Sequence, residues 1–552
     1  MSNNSFFASA VQTLATLGDL DHNLYLLQKY TKDAARLGSE LVVFPECMNT
    51  GYLFNSKEHC LSLAETLSGP FISEMANLCR YYGIYLCSGF TEYESSTNQV
   101  YNSAILLDQK GETLIHYRKQ FLATHDKNWF QVGDKGCPVV NTKLGKIGLM
   151  ICFDGRIPEI ARCLAVQGAE VIIDVANFFT MDQAELWVPA RALENKTWFI
   201  TATKAGVERS IYYPGGSMIV APTGHVLATR QDDTHGITSA QVDPDLVQSK
   251  KLSERRPEVY QILSQPFEKT PLADIINQPL VPEESTVKVA AVQSNLTNQN
   301  IELDSIFNLI SHVAKLGVKV IVLPQYFGMT TFLPNMTEAK AESEESLFKI
   351  NKGCSIAEEN QCYLILSTVE YSGNKLAPTA IIISPKGKVI GRYHKVHLNP
   401  VEKTWGVPGN NFPVFETSFG RLGVILGKDG QFPESTRALA LKGADIIAWP
   451  CSWQHAFERD LLSVPKAVDN RIYLICSNRV DSPYQGGSLV VSPEGLNRCD
   501  INISFPSHKR LGAVVPHYAN LAISRQKSLI PNVDLVRNRL VSTYKILTSK
   551  LF

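Results

Sequence analysis

The sequence predicts an α/β protein built from two tandem copies of one layered domain. Three observations carry this. The chain has 552 residues, too many for one ordinary domain. Short β-branched runs alternate with stretches of helical periodicity, which implies layers of sheet and helix. A set of local patterns also recurs once, in the same order, about 270 to 280 residues further on. A period of that size marks a duplicated domain and not a solenoid repeat.

The first strand is expected at Phe6 to Gln12. Asp21 is placed as an N-cap, and Leu24, Leu27, Thr31, Ala34 and Ala35 follow at helical spacing up to Gly38, a C-terminal cap. Leu41 to Phe44 is too short and too β-branched for a helix and ends at Pro45-Glu46. Leu114, Ile115 and Tyr117 lead into Arg118-Lys119. The apolar run Ile147 to Ile151 stops at Cys152; a polar, Gly-containing turn follows, then a helical pattern from Pro158. Val171 to Val175 forms a further strand and delivers Asn177-Phe178-Phe179 to the same rim. The first copy closes with Arg255 to Tyr260, and the Pro-, Gln- and Glu-rich stretch 264–285 reads as a linker.

The second copy repeats the opening: Val289 to Gln293, a helix through Ile306, Phe307, Ile310, Val313 and Ala314, Gly317, then Val320 to Gln325. Tyr117-Arg118-Lys119 returns as Tyr393-His394-Lys395, and the Cys152 turn returns as Gly427 to Glu434. Arg191 to Asn195 returns as Lys466 to Asn470, and Gly215-Gly216-Ser217 as Gly486-Gly487-Ser488. The expected division is 1–263, a linker at 264–285, and 286–552.

Lys plus Arg balance Asp plus Glu at 53 each, with no basic patch, which argues against nucleic acid as partner. The twelve cysteines form no CxxC pair and no alternation with His at metal-ligand spacing, so they suit free thiols in a reducing cytosol. Met1 to Ala15 has no Lys or Arg ahead of its apolar residues and does not read as a signal peptide, and no segment reaches the length of a membrane span. A cytoplasmic protein without a membrane association is expected.

Glu46, Lys119 and Cys152 each follow a strand, so they can converge on one rim of a sheet. A carboxylate, an ammonium and a thiol suffice for acyl transfer: the carboxylate takes the thiol proton, the sulfur attacks, and the ammonium stabilises the oxyanion.

Phe-Pro-Glu at 44–46, Tyr-Arg-Lys at 117–119 and Cys-Phe-Asp-Gly-Arg-Ile-Pro-Glu at 152–159 resemble the three signatures of the nitrilase, or carbon–nitrogen hydrolase, superfamily. The resemblance covers nearly the whole chain, twice. It implies two nitrilase-like α-β-β-α sandwich domains and a Glu-Lys-Cys triad with no metal and no organic cofactor. Glu46 would be the general base, Lys119 the stabiliser of the tetrahedral intermediate and Cys152 the nucleophile, with the N–H of Phe153 as second oxyanion donor. Family members usually add a second glutamate after the lysine. Asp126 stands at the best candidate position, one methylene shorter, and reads either as a contact of Lys119 or substrate or as an exposed loop residue. Asn177 and Phe178 read either as substrate-pocket residues or as core. Arg156 and Glu159 are expected to pair with each other and orient the turn.

In the second copy Gln325 replaces Glu46 and Gly427 replaces Cys152, while Lys395 and Glu402 remain, so this copy is expected to be catalytically degenerate. The expected substrate is a small amide or N-carbamoyl compound. Phe-Asp follows Cys152 where nitrilases of the family more often carry Trp-Glu, which favours an amide over a nitrile. The alternatives are a nitrilase acting on a nitrile, and a non-catalytic binding or regulatory protein built on the paired folds. The two copies are expected to pack as an intramolecular pseudo-dimer, with further homo-oligomerisation open.

Overall fold

The strand Phe6–Gln12 is buried along nearly its whole length, as a strand covered on both faces must be. It belongs to a computed structural model that describes residues 5–247, 252–277, 286–294, 303–327, 333–480, 483–501 and 512–549. The helix after it spans Leu20–Arg36 and is capped by Asp19, whose carboxylate accepts from the N–H of His22 at 2.9 Å. Asp21, the expected cap, lies in the first turn, where its charge still favours the helix N-terminus. Gly38 follows the helix end at φ +84°, a conformation that suits a residue without Cβ.

Chain contacts divide the molecule into two units, the first comprising Met1–Leu252 with Ile530–Asp534 and Asn538–Leu547. Its first sheet has six strands in the spatial order Gly236–Val242, Phe6–Gln12, Leu41–Val43, Tyr85–Glu94, Gln99–Leu107 and Thr113–Arg118. Its second sheet, also six-stranded, runs Val226–Arg230, Ser217–Val220, Trp198–Thr203, Val171–Ala176, Gly145–Ile151 and Val139–Thr142. The sheets meet face to face, Phe6–Gln12 against Trp198–Thr203 and Gln99–Leu107 against Gly145–Ile151. Helices Leu20–Arg36 and Pro70–Tyr82 cover the first sheet, closing a core that includes Val11, Leu27, Val42, Phe71, Met75 and Leu86. Helices Pro158–Val166 and Val188–Asn195 cover the second. The order of layers is α-β-β-α.

The second unit comprises Ser253–Leu529, Leu535–Arg537 and Thr548–Phe552. It too has two six-stranded sheets, and the first repeats the strand order of its counterpart, from Val389–His394 through Thr286–Ser294 to Gly512–Asn520.

The division by contacts differs from the boundaries read in the sequence. The first unit's opening segment ends at Leu252, and the segment from Ser253 belongs to the second. There Arg255 pairs with buried Glu434 at 2.8 Å and Tyr260 is fully buried. Part of the expected linker forms the helix Pro271–Asn277 with Leu272 buried, and 278–285 lies outside the described residues. The first unit in turn includes Arg539, paired with Glu159 at 3.0 Å, and fully buried Tyr544. Each unit therefore contains a segment that the sequence repeat assigns to the end of the other copy. No helix among the described residues is long and apolar enough to cross a membrane.

Candidate active site

Glu46 leaves the first sheet just after Leu41–Val43, and the chain turns sharply behind it at Cys47, φ +54°. Gly89 on the neighbouring strand lets the backbone close in: a Cβ there would lie 2.5 Å from the Cα of Glu46. Lys119 ends the strand Thr113–Arg118 of the same sheet, and its N–H is fixed by the carbonyl of Asn102 at 2.8 Å. Cys152 ends Gly145–Ile151, which lies in the other sheet. The three groups thus do not share one sheet rim, as the sequence suggested; they come from corresponding ends of two stacked sheets. Strand ends that close a sandwich provide this arrangement without a long loop.

The buried Lys119 ammonium lies between two carboxylates, 2.8 Å from Glu46 Oε1 and 2.8 Å from Asp126 Oδ2. Burial disfavours its charge, but Asp126 and then Glu46 outweigh that and hold it well above the usual lysine range. Asp126 is fully buried and not an exposed loop residue. Its Oδ1 accepts from Tyr52 Oη at 2.9 Å and from Asn102 Nδ2 at 3.3 Å, and its Oδ2 accepts from the N–H of Ala123 at 3.1 Å. Asn102 donates the same amide to Glu46 Oε1 at 2.5 Å. One oxygen of Glu46 is therefore held twice, while Oε2 is buried with no hydrogen-bond partner.

Cys152 sits in a left-handed conformation, φ +51°, at the head of a 3-10 turn, Cys152–Arg156. Its N–H donates to Asp174 Oδ1 at 2.7 Å, and its thiol lies 3.7 Å from the carbonyl of Asn177. Burial pushes the thiol well above its usual range and Glu46 adds to this, while Lys119 pulls it down. Phe153 stands second in this turn, and its ring stacks on Phe121 at 5.6 Å between centroids. Asp154 braces the turn, accepting from Ile151 N–H, Phe121 N–H and Tyr117 Oη at 3.1, 2.8 and 2.6 Å.

Asn177 is buried, and neither its side-chain oxygen nor its nitrogen has a partner. Phe178 lines a small cavity with Cys152, Asp174, Gln183 and Trp187. Arg156 and Glu159 do not pair with each other. Arg156 reaches Asp182 at 2.6 Å and stacks on Trp187, whereas Glu159, on the helix that follows, meets Arg539. Among the described residues no group of three or more His, Cys, Asp or Glu side chains is placed to hold a metal ion.

Sequence reading missed Asn102, Tyr52, Asp174 and Tyr213. The hydroxyl of Tyr213 is buried without a partner, and burial and the charges of Glu208, Glu46, Cys47 and Cys152 all raise its pKa. Lys204 stands over the Tyr52 and Tyr213 rings, its ammonium paired with Glu208 at 2.9 Å. The available signal was a polar residue inside an apolar strand, as in Val-Ile-Ile-Asp-Val-Ala at 171–176.

The second unit keeps the frame and fills the site. Lys395 holds Glu402 at 2.7 Å, with the same seven-residue offset as Lys119 and Asp126. Gln325 donates to Glu402 at 3.2 Å, and Tyr326 Oη also bonds Glu402. The N–H of Lys395 donates to the carbonyl of Pro378 at 2.9 Å, as that of Lys119 does to Asn102, so a proline stands where Asn102 steadies Glu46. Gly427 keeps the left-handed turn at φ +40°, but a Cβ on it would lie 1.9 Å from Gln325 Oε1. The Trp449 ring fills the space beside Gly430, where a Cβ would meet it at 1.8 Å.

A family model described as carbon-nitrogen hydrolase matches residues 7–252 and again 288–498. The chain is 35% identical over 235 residues to a protein named nitrilase from Pyrococcus abyssi, covering 42% of this chain and 88% of that one. It is 30% identical over 282 residues to deaminated glutathione amidase of Mus musculus, 47% of this chain and 86% of that protein. It is 29% identical over 289 residues to N-carbamoylputrescine amidase of Solanum lycopersicum, 47% of this chain and 95% of that protein.

Proposed function

The chain belongs to the carbon–nitrogen hydrolase family, and from that premise we propose that its first unit hydrolyses a small amide or N-carbamoyl compound through a thioester on Cys152. The observation that carries this reading is the division of labour at Glu46. Its Oε1 is held by Lys119 and Asn102, and its Oε2 is left as a buried, unpartnered acceptor on a carboxylate whose charge acts on the Cys152 thiol. Because burial keeps the thiol protonated, the nucleophile is made during attack and not beforehand. Glu46 takes the Sγ proton as the S–C bond forms at the substrate carbonyl. Lys119 and the N–H of Phe153 receive the oxyanion. As the intermediate collapses, the C–N bond breaks and the proton on Glu46 passes to the departing ammonia or amine. Water, losing a proton to Glu46, then attacks the thioester carbonyl; the C–S bond breaks, the acid product leaves, and Glu46 returns the proton to Sγ.

Asn177 and Tyr213 supply hydrogen bonds to the substrate, since each buries polar atoms that lack protein partners. Asp126 fixes Lys119 in the role of the family's second glutamate. The second unit is catalytically inert: glycine stands at the position of Cys152, glutamine at that of Glu46, and Gln325 occupies the place a side chain at Gly427 would need. Relatives named as amidases of deaminated glutathione and N-carbamoylputrescine support an amide or carbamoyl substrate. The relative named nitrilase puts nitriles on the test panel.

The test is intact-protein mass spectrometry of wild type and Cys152→Ala with amides, N-carbamoyl compounds and nitriles, reading ammonia release in parallel. An acyl adduct and ammonia with wild type alone are expected from the first two classes. Ammonia release by Cys152→Ala at the wild-type rate would overturn the mechanism, and turnover of nitriles only would overturn the substrate class.

A further inference from the structure

Asp174 lies in the middle of the strand Val171–Ala176, is 1% exposed, and is the only polar residue of that strand. A carboxyl group there is costly unless something uses it. Its Oδ1 accepts the N–H of Cys152 at 2.7 Å, at the point where the chain leaves the parallel ladder between Gly145–Ile151 and Val171–Ala176. Cys152 has φ +51° there, a conformation that a residue with a Cβ adopts only at a cost. The second unit supplies a comparison. Leu149 pairs with Ile173 and Val424 with Ala448, so Trp449 stands where Asp174 does. The turn beside Trp449 carries Gly427, which has no side chain to aim, and the indole donates to the carbonyl of Gly427 at 3.0 Å instead of accepting from its N–H. The acceptor is present where the turn carries Cys152 and absent where it carries Gly427.

We infer that Asp174 is a positioning residue: by accepting the Cys152 N–H it holds the nucleophile's backbone in the left-handed turn and fixes the direction of Sγ. This rests on the reading of Cys152 as nucleophile. Burial raises the Asp174 carboxyl well above the usual range, outweighing the hydrogen bond from the Cys152 N–H, and Asp174 in turn helps to raise the Cys152 thiol. An asparagine oxygen can do the same work.

The experiment compares full-length wild type, Asp174→Asn and Asp174→Ala. It reads the rate of Cys152 alkylation by iodoacetamide through peptide mass spectrometry, then turnover. Asp174→Ala is expected to slow alkylation and kcat about tenfold or more with KM little changed, since small misplacements of a reacting atom cost rates of that order. Asp174→Asn is expected to stay close to wild type in both. The inference is overturned if Asp174→Ala alkylates at the wild-type rate, or if Asp174→Asn is as slow as the alanine variant or does not fold. Should only the alanine variant fail to fold, the asparagine variant decides. Alkylation needs no substrate, so failure of the amidase reading and failure of this inference are separately visible.

Discussion

A methyl group on Gly427 would lie 1.9 Å from the side-chain oxygen of Gln325, whereas in the first unit the corresponding pair, Cys152 and Glu46, coexist. The second unit has therefore repacked around the missing thiol. Gly427→Cys is expected to destabilise it by about 1–3 kcal/mol, the usual cost of overpacking a well-filled interior. Adding Gln325→Glu is expected to produce no hydrolysis attributable to this unit, because Pro378 cannot supply the amide that Asn102 gives Glu46. Urea unfolding of the single variant, and ammonia release by the double variant in a Cys152→Ala background, check the two halves.

Asn102 bridges Glu46 and Asp126 with one amide group. Replacing it by alanine leaves Glu46 anchored only through Lys119. A fall in kcat of about tenfold to a hundredfold is expected, since base and nucleophile lose their alignment. Single-turnover kinetics should place the loss in the acylation step. An unchanged acylation rate would remove Asn102 from the machinery.

In the first sheet, buried Glu92 on the interior strand Tyr85–Glu94 receives hydrogen bonds from Arg118 at 2.5 and 2.9 Å and meets His116 at 2.7 Å, both from the edge strand Thr113–Arg118. Burial pushes its carboxyl up, but the hydrogen bonds from His116, Arg118 and Ser103 and the charge of His116 prevail, holding it at about 2. A depressed folded-state value means stability that is complete above the ordinary glutamate range and lost as pH falls towards 2. The stake is on the order of 3 kcal/mol. Glu92→Gln should thus melt well below wild type at neutral pH, and the gap should narrow steadily in acid. A gap independent of pH would show that packing, not charge, is responsible.

Glu159 begins the helix that follows the Cys152 turn and is buried against Arg539. Arg539→Ala removes one member of a buried ion pair, and a loss of about 3–5 kcal/mol from the first unit is expected. Thermal unfolding should report it, with earlier proteolysis near Pro158–Val166. If the variant melts like wild type, the tail contributes no more than coverage.

Much of the fold was legible because its signals are local. Phe6–Gln12 reads as a strand from its own composition, and Gly38 as a helix terminator from its place after an apolar stripe. Glu46, Lys119 and Cys152 were legible as strand-end residues, and the structure brings Glu46 and Lys119 into contact. Their distribution over two sheets was not, because sequence spacing says nothing of which sheet a strand joins. Asp126 was found by offset but not by environment, since its burial depends on Tyr52 and Asn102, distant in sequence. Asn102 and Asp174 were missed for a related reason: each is a polar residue within a strand, and its partners come from turns and loops distant in sequence. Arg156 and Glu159, three residues apart and oppositely charged, invited pairing, but Asp182 and Arg539 offered better geometry.

The last strip of the first unit, Asn538–Leu547, is made only after most of the second unit. At roughly 5–20 residues per second, the roughly 300 residues after Leu252 occupy a ribosome for on the order of 15–60 s. During that interval the helix Pro158–Val166 has no Arg539 to meet Glu159 and no Tyr544 to cover it. The unit that carries Cys152 emerges ahead of its copy but is completed only after most of that copy has been made. Its maturation is tied to translation through most of its second copy, so a message truncated between Ser253 and Asn538 would release a first unit lacking its final strip.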